Sequence, residues 1–162
     1  MWEERTMAKE LHKLLLIALL AVSCANKAAQ TPASAPARTV IRCDACEISV
    51  ELAATAELRR KGYMRREKPG EREGMLFVFR DETLREFWNH DVFFPIDIAF
   101  LDARGQVVYL DTMAPMDDRS VGSRRPARYV LEMRAGAFKN CGITLGGFIK
   151  IPPSVAEMDV EP

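Results

Sequence analysis

The hydrophobic pattern of this chain has the period of β-strands. Residues 75–79 form a continuous apolar run of strand length, rich in aromatic side chains, which predicts a strand buried on both faces. Apolar and polar residues alternate over residues 48–52, 96–101 and 129–133. Because successive side chains of a strand point to opposite faces, each of these segments is predicted to be a strand with one apolar face.

A further strand is predicted over residues 84–92, with Trp88, His90 and Val92 on one face. Pro95 cannot donate to a sheet ladder, so it marks a bend or an edge after this strand. Residues 102–105 read as a hairpin turn in which glycine supplies positive φ, and the return strand begins directly after it.

The remaining segments predict two short helices and loops. Thr55 is a suitable N-cap and Gly62 a suitable C-terminal cap for the first helix. Residues 135–141 predict a second helix that ends at Gly142. A long polar loop is predicted over residues 113–128, a last short strand over 148–151, and a frayed acidic tail from Ser154 onward.

These elements predict a small, β-dominated α+β domain. About six or seven short strands and two short helices are connected mostly by short segments, so the strands should be mainly antiparallel. We expect the sheets to curl into a barrel-like or sandwich body. The sequence contains no βαβ repeat, no glycine-rich phosphate loop and no internal duplication.

Composition narrows the class of protein. The 162 residues are 48% apolar, which suffices for one core, and 23 basic residues balance 23 acidic ones. A nucleic-acid-binding domain normally needs a net basic surface, so no nucleic-acid partner is expected. The cluster of basic residues at positions 59–68 is interspersed with glutamates and reads as a solvated helix face.

The N-terminus reads as an export signal. A positive flank at Lys9, His12 and Lys13 precedes the unbroken apolar run 14–22, which is too short for a membrane span of about 20 residues. Small residues then lead into Cys24, as in a bacterial lipobox, where the cysteine is acylated. The alternatives are an ordinary signal peptide or an uncleaved anchor helix, and Met7 is an alternative start to Met1.

The lipoprotein interpretation gives residues 1–23 as signal peptide and 24–38 as a flexible tether too poor in large apolar residues to fold. The mature protein is then exported and held to the cell envelope by acyl chains on Cys24. Ala25, rather than aspartate, follows the cysteine, which points to the outer membrane in a Gram-negative cell.

Three further cysteines lie in or near the domain. Cys43 and Cys46 form a Cys-x-x-Cys pair, for which we predict a structural disulfide in an oxidising, exported setting. The alternatives are half of a thiolate metal site, for which no second pair exists, and a redox motif, which would need a strand before it and a helix at it. Cys141 is predicted to be a small buried thiol.

Five ordered blocks then identify a resemblance: GMLFVF, FW, FPIDIAFLDARGQVVYLD, PARYVLEMRAG and GITLGGFIKI. Together with VELAATAELRRKGYMRR, they resemble the DUF192 family of small bacterial and archaeal proteins. The resemblance implies a compact β-rich domain over residues 39–153, often exported, in a family without an established function. The family's usual Met-Lys-Asn-Thr block is replaced here by Asn89, His90, Asp91 and Val92.

Five residues are the candidates for a ligand pocket. The aromatic residues around Trp88 could wall it, with His90, Asp91 and Asp97 as polar groups and Arg128 as a partner for Asp97. For these two polar residues a structural interpretation is preferred to the pocket: Asp97 accepts backbone N–H bonds in the bend, and His90 packs on Trp88 at the surface. No catalytic residue, metal site or cofactor is assigned.

Three functions follow as hypotheses. The preferred one is a membrane-tethered extracytoplasmic binding or accessory module, with a small molecule or an envelope protein as partner. The second is a small hydrolase or transferase that uses Asp97 and His90, with Asp91. The third is a structural envelope protein that acts through an exposed apolar patch.

Overall fold

Eight strands and three short helices make up the part of the chain that the computed structural model describes, residues 36–44 and 46–161. The strands are β1 (Arg38–Arg42), β2 (Glu47–Ala53), β3 (Glu73–Thr83), β4 (Glu86–Asn89), β5 (Ile96–Leu101), β6 (Val107–Met113), β7 (Asp117–Gly122) and β8 (Ala127–Arg134). The helices are α1 (Ala56–Lys61), α2 (Ala137–Cys141) and α3 (Pro153–Ala156).

Six of the strands form one open sheet in the order β1-β2-β3-β8-β5-β6, and β4 pairs with β7 in a separate two-stranded sheet. The pairing is antiparallel except between β2 and β3, which are parallel and connected through α1. The predicted β-dominated α+β class is therefore confirmed. The large sheet is mixed and open, and β8 lies between β3 and β5 in it.

Apolar side chains are buried on both faces of the large sheet. On β8, Tyr129, Leu131 and Met133 belong to a cluster that also contains side chains of α2 and α3. Val130 belongs to a second cluster, with Phe77 of β3 and other aromatic residues, on the opposite face. Both faces of the central strands are covered by other side chains. The alternation along β8 therefore does not separate a solvent-exposed face from a buried one.

The predicted ends of the first two helices are confirmed. The Thr55 hydroxyl accepts a hydrogen bond from the Leu58 N–H at 3.2 Å, which caps the first turn of α1. Gly62 ends this helix with φ +45°, and Gly142 ends α2 with φ +67°.

The two predicted segments around β4 need correction. The strand predicted over residues 84–92 covers only Glu86–Asn89, and the chain then turns at Asp91, whose φ is +54°. The loop predicted over residues 113–128 contains β7, which pairs with β4. Half of the residues of β7 are exposed and none is fully buried, so it carries no apolar alternation by which it could be recognised.

The C-terminal segment also differs from the prediction. Residues 148–151 form only isolated bridges, between Gln106 and Phe148 and between Arg42 and Lys150. The tail after Ser154 is not frayed: it contains α3, and the side chains of Val155 and Val160 are buried in the α2 side of the core. The two valines explain the difference, because they anchor an otherwise acidic segment.

The predicted Cys43–Cys46 disulfide is wrong, and so is the prediction of a free Cys141 thiol. Cys46 pairs with Cys141, with a Cα–Cα distance of 5.2 Å, while Cys43 is free. Cys43 and Cys46 lie opposite each other at the β1–β2 turn, where the Cys43 N–H donates to the Cys46 carbonyl at 3.0 Å. The Cys46 side chain is buried in the α2-side cluster, where the end of α2 supplies Cys141.

The predicted signal peptide, Cys24 and most of the predicted tether lie outside the described residues. Arg38, the last residue of the predicted tether, already belongs to β1. No helix in the described part of the chain combines the length and apolar character needed to cross a membrane.

Candidate ligand-binding cavity

A cavity of about 270 Å³ lies between α1, β3, β4 and β8. Its apolar walls come from both sheets and from the segment after α1: Tyr63, Met64, Phe77, Phe79, Phe87, Trp88 and Val92. Its buried polar residues are Asn89 and Glu132, and the charged residues at its exposed mouth include Arg60, Lys61, Glu86 and His90. Concave, mainly apolar sites with a few polar groups are typical of small-molecule binding.

Phe87 connects the small sheet to the large one. Its ring contacts Phe77 edge-on, with centroids 4.9 Å apart and planes at 88°, and Phe100 at 5.8 Å and 81°. Edge-to-face contacts of this kind stabilise aromatic pairs beyond the area that they bury. Because β4 carries both Phe87 and the neighbouring residues of the mouth, this packing fixes the outer wall of the cavity.

Glu132 is the unusual group in the cavity. Its side chain lies on the same face of the sheet as Val130, and its neighbours on the adjoining strands are Met75 and Ile98. Glu132 is only 4% exposed, and its carboxyl makes no hydrogen bond or ion pair with another described residue. Burial therefore raises the pKa of Glu132 to about 8.

Asn89 is a second buried polar residue that lines the cavity. Its amide Nδ2 donates to the Ala114 carbonyl at 2.6 Å and to the Phe94 carbonyl at 3.1 Å. These two acceptors fix the orientation of the amide. Its Oδ1 is buried and accepts no hydrogen bond from the described residues.

The mouth of the cavity is charged and solvated. His90 Nδ1 lies 2.6 Å from Asp118 Oδ1, and this hydrogen bond raises the pKa of His90. The Arg59 guanidinium donates to the carbonyls of Ala54 and Val78 and lies over the Phe79 ring. No group of three or more histidine, cysteine or acidic side chains among residues 36–44 and 46–161 is placed to hold a metal ion.

The comparisons with known proteins identify the family. The sequence model of the DUF192 family, which carries the description "Uncharacterized ACR", matches residues 38–151 of this chain. The chain belongs to the DUF192 family. No curated protein matches it.

Two solved structures are similar to this DUF192 protein. A "putative transcription regulator" from Sinorhizobium meliloti 1021 has a TM-score of 0.69 and 27% identity, over 72% of this chain and 95% of that one. A protein of unknown function from Novosphingobium aromaticivorans DSM 12444 has a TM-score of 0.68 and 26% identity, over 74% of this chain and 89% of that one. The shared fold thus covers nearly all of both relatives.

The structure brings only some of the predicted pocket residues together in this DUF192 domain. Trp88 and His90 both line the cavity, at its mouth. Asp91 lies beside them but faces a neighbouring cleft, where its carboxylate pairs with Arg65 at 2.8 Å. The predicted cluster of Trp88, His90 and Asp91 is therefore close in space, although the three side chains do not converge on one point.

Asp97 does not belong to this cavity, which corrects its predicted place there. It shares a face of β5 with Ala99 and Leu101, whereas the cavity lies on the face of Ile98 and Phe100. One oxygen accepts from the Thr112 hydroxyl at 2.8 Å, and the other accepts from the Gly136 N–H at 2.8 Å. The Asp97 carboxylate thus ties β5 to β6 and to the start of α2.

Arg128 is also separate from the cavity, and its predicted pairing with Asp97 is wrong. Its guanidinium donates to the Ala156 carbonyl at 2.7 Å, at the end of α3, and lies 5.3 Å from the centre of the Tyr129 ring. Arg128 therefore fastens the C-terminal segment to the sheet.

Glu132 is the residue that sequence reasoning missed in this DUF192 protein. In the sequence, Glu132 alternates with the apolar residues Tyr129, Leu131 and Met133 and so belongs to the other face of the strand. An acid on that face predicts, by itself, a face exposed to solvent. A signal was present: residues 129–133 are apolar except for this one acid, as expected of a strand buried on both faces. An acid in such a strand must be paired, neutral or functional.

Proposed function

We propose that this protein is a small-molecule-binding domain, and that the cavity between α1, β3, β4 and β8 is its binding site. The observation that carries the proposal is the combination of aromatic walls with one buried, unpaired acid, Glu132. A buried carboxyl without a partner costs stability. A ligand that reaches it would offset this cost.

The size of the cavity limits the ligand. A volume of about 270 Å³ lies just below the range of about 300–1,000 Å³ that is usual for ligand pockets. The ligand, or the part of it that enters, is therefore small. Trp88 at the mouth is 52% exposed, so the part of a larger ligand that stays outside the cavity could pack against its ring.

The hydrolase hypothesis has less support. It needs Asp97 and His90 in one site, but Asp97 lies on the opposite face of the sheet and both of its oxygens accept interior hydrogen bonds. His90 is at the mouth, paired with Asp118. A DNA-binding role is not proposed either, because the charge is balanced and the longest helix of the described residues, α1, has 6 residues.

The binding site can be tested with a variant that fills it. Met64 lines the cavity, and Met64→Trp should occupy it with a bulky ring, whereas Leu145 is exposed and does not line it. We expect a thermal-shift screen of small aromatic and aliphatic compounds to find ligands that, at about 100 times Kd, stabilise the protein by roughly 2.7 kcal/mol. Met64→Trp should abolish the shift, and Leu145→Trp should keep it.

Two results would contradict the proposal. A ligand that stabilises the wild type and Met64→Trp equally does not bind in the cavity. A screen without any hit, on well-folded protein, would mean that the cavity is a packing defect.

We also propose that the protein is exported and tethered to the membrane through an acylated Cys24. The support comes from the apolar run before Cys24 and from the Cys46–Cys141 disulfide, because disulfides persist in oxidising compartments. We expect mass spectrometry of the protein isolated from cell membranes to find an acylated N-terminal Cys24. An unmodified chain that begins at Met1 or Met7 would refute this.

A further inference from the structure

The two buried polar side chains of the cavity lack partners for their oxygen atoms in the described part of the chain. Glu132 and Asn89 both line it, and both are at least 95% buried. Asn89 Oδ1 is buried and has no hydrogen-bond partner among the described residues. Burial alone perturbs the pKa of the Glu132 carboxyl, with no hydrogen bond or opposite charge beside it among those residues. Buried acceptors are almost always paired in folded proteins, so Asn89 Oδ1 indicates a missing donor at this cavity, and Glu132 lacks the positive partner that its ionised form would need.

Tyr63 also lines the cavity, and burial together with the charge of Glu132 raises the pKa of its phenol, but no hydrogen bond joins the two side chains. The Asn89 amide N–H groups are already used by two carbonyls, so rotation of the amide cannot help Glu132 without losing both bonds. The neighbours of Glu132 on β3 and β5 are Met75 and Ile98, which carry no donor in their side chains. The cations Arg60 and Lys61 lie at the exposed mouth.

We propose that the ligand is a small organic amine, whose N–H groups pair with the buried Glu132 carboxylate, with Asn89 as the second acceptor, and whose apolar part lies among the aromatic walls. This inference rests on the proposed function of the cavity. An ammonium group beside Glu132 would replace the water that the carboxylate loses on burial. Aromatic faces such as those of Phe77, Phe87 and Trp88 also attract cations.

The same geometry disfavours an anionic end in the cavity. A ligand carboxylate at this position would meet the Glu132 carboxyl and the Asn89 carbonyl oxygen, and neither would gain a partner from it unless a proton were held between them. A neutral alcohol satisfies one acceptor but brings no charge. The expected order of affinity for ligands of equal shape is therefore amine, then alcohol, then carboxylate.

Binding of an amine should be coupled to the release of a proton. In the free protein Glu132 holds a proton at neutral pH, because burial raises its pKa to about 8, and an ammonium favours the ionised form. The affinity for an ammonium should therefore rise about tenfold per pH unit up to about pH 8 and then level off. The other titratable groups that line the cavity are Arg59, Arg60, Lys61, Tyr63, Glu86 and His90.

The test compares ligands that differ only in their polar group. Propyl, cyclohexylmethyl and benzyl amines are titrated against the purified full chain by calorimetry at pH 8.5, beside the matching alcohols and carboxylates. We expect at least one amine to bind more than tenfold tighter than its alcohol. Glu132→Gln should remove this advantage and leave the alcohol unchanged, while Glu67→Gln, the same change at an exposed residue that does not line the cavity, should keep it.

The outcomes separate the inference from the proposed function. If alcohols bind in the cavity as tightly as amines, or if Glu132→Gln keeps the preference for amines, the amine inference is wrong while the binding site stands. If carboxylates bind tightest, the mouth cations select the ligand and the inference is wrong as well. If none of the compounds binds, the amine inference is wrong, and the broader ligand screen alone then decides the proposed function.

Discussion

Replacing Glu132 with glutamine is expected to change the pH dependence of stability by roughly 3–5 kcal/mol between pH 5 and pH 9. In the folded protein burial raises the pKa of Glu132 to about 8, from a usual value of 4.5. In the unfolded chain the carboxyl is hydrated and loses its proton near the usual value. Between these two pH values the folded state therefore binds more protons than the unfolded state.

The sign of the effect follows from this difference. The free energy of unfolding of the wild type should fall as the pH rises from about 4.5 to about 8, because folding must then either take up a proton or bury a charge. Above that range the Glu132 contribution stays constant. Glu132→Gln carries no such proton and should be more stable than the wild type at pH 9, while the two differ little near pH 5.

Urea unfolding at pH 5, 7 and 9 measures this difference directly. The matched control is Glu86→Gln, because Glu86 lines the same cavity but is exposed, so its pH profile should follow that of the wild type. Parallel pH profiles of stability for the wild type and Glu132→Gln would contradict the prediction, because they would show that the pKa of Glu132 is the same in the folded and the unfolded protein.

Loss of the Cys46–Cys141 disulfide is expected to cost roughly 2–5 kcal/mol of stability. The bond joins residues 95 positions apart, so it removes much of the chain entropy of the unfolded state. Cys141→Ala should lower the midpoint of chemical unfolding strongly, and reduction of the wild type should have the same effect. The control is Cys43→Ser, which leaves the bond intact and should change stability little.

The same pair of variants tests the connectivity. The S–H of Cys43 lies 3.2 Å from the Cys141 carbonyl oxygen, so all three cysteines are close together. If Cys43→Ser were the costly change and Cys141→Ala a mild one, the native bond would join Cys43 to Cys46 instead.

The strands with an apolar side could be predicted from the sequence alone. Strands β2, β5 and β8 correspond to the predicted segments 48–52, 96–101 and 129–133. These segments show an apolar pattern because neighbouring parts of the fold bury their side chains. Strand β7 could not be predicted, since it pairs only with β4 and none of its residues is fully buried. Its pairing is visible only in three dimensions.

The cavity was harder to predict because distant segments build it. Trp88 and His90 could be named from their neighbourhood in the sequence, but the acid that completes the cavity is Glu132, more than forty positions away. Asp97 was a candidate pocket residue because a buried acid needs partners. Its partners lie on β6 and at the start of α2, on the face of the sheet opposite the cavity. One sequence does not show which face a distant segment covers.

The disulfide has a mechanical consequence for the domain. Strand β1 is the edge of the large sheet, with β2 beside it and one further bridge from Arg42 to Lys150, so tension on the chain before Arg38 would peel β1 away one hydrogen bond at a time. The peeling would stop at Cys46, where the covalent bond passes the load to Cys141 at the end of α2. The parallel β2–β3 pair and the cavity behind it would therefore keep their shape under a pull that strips the edge strand.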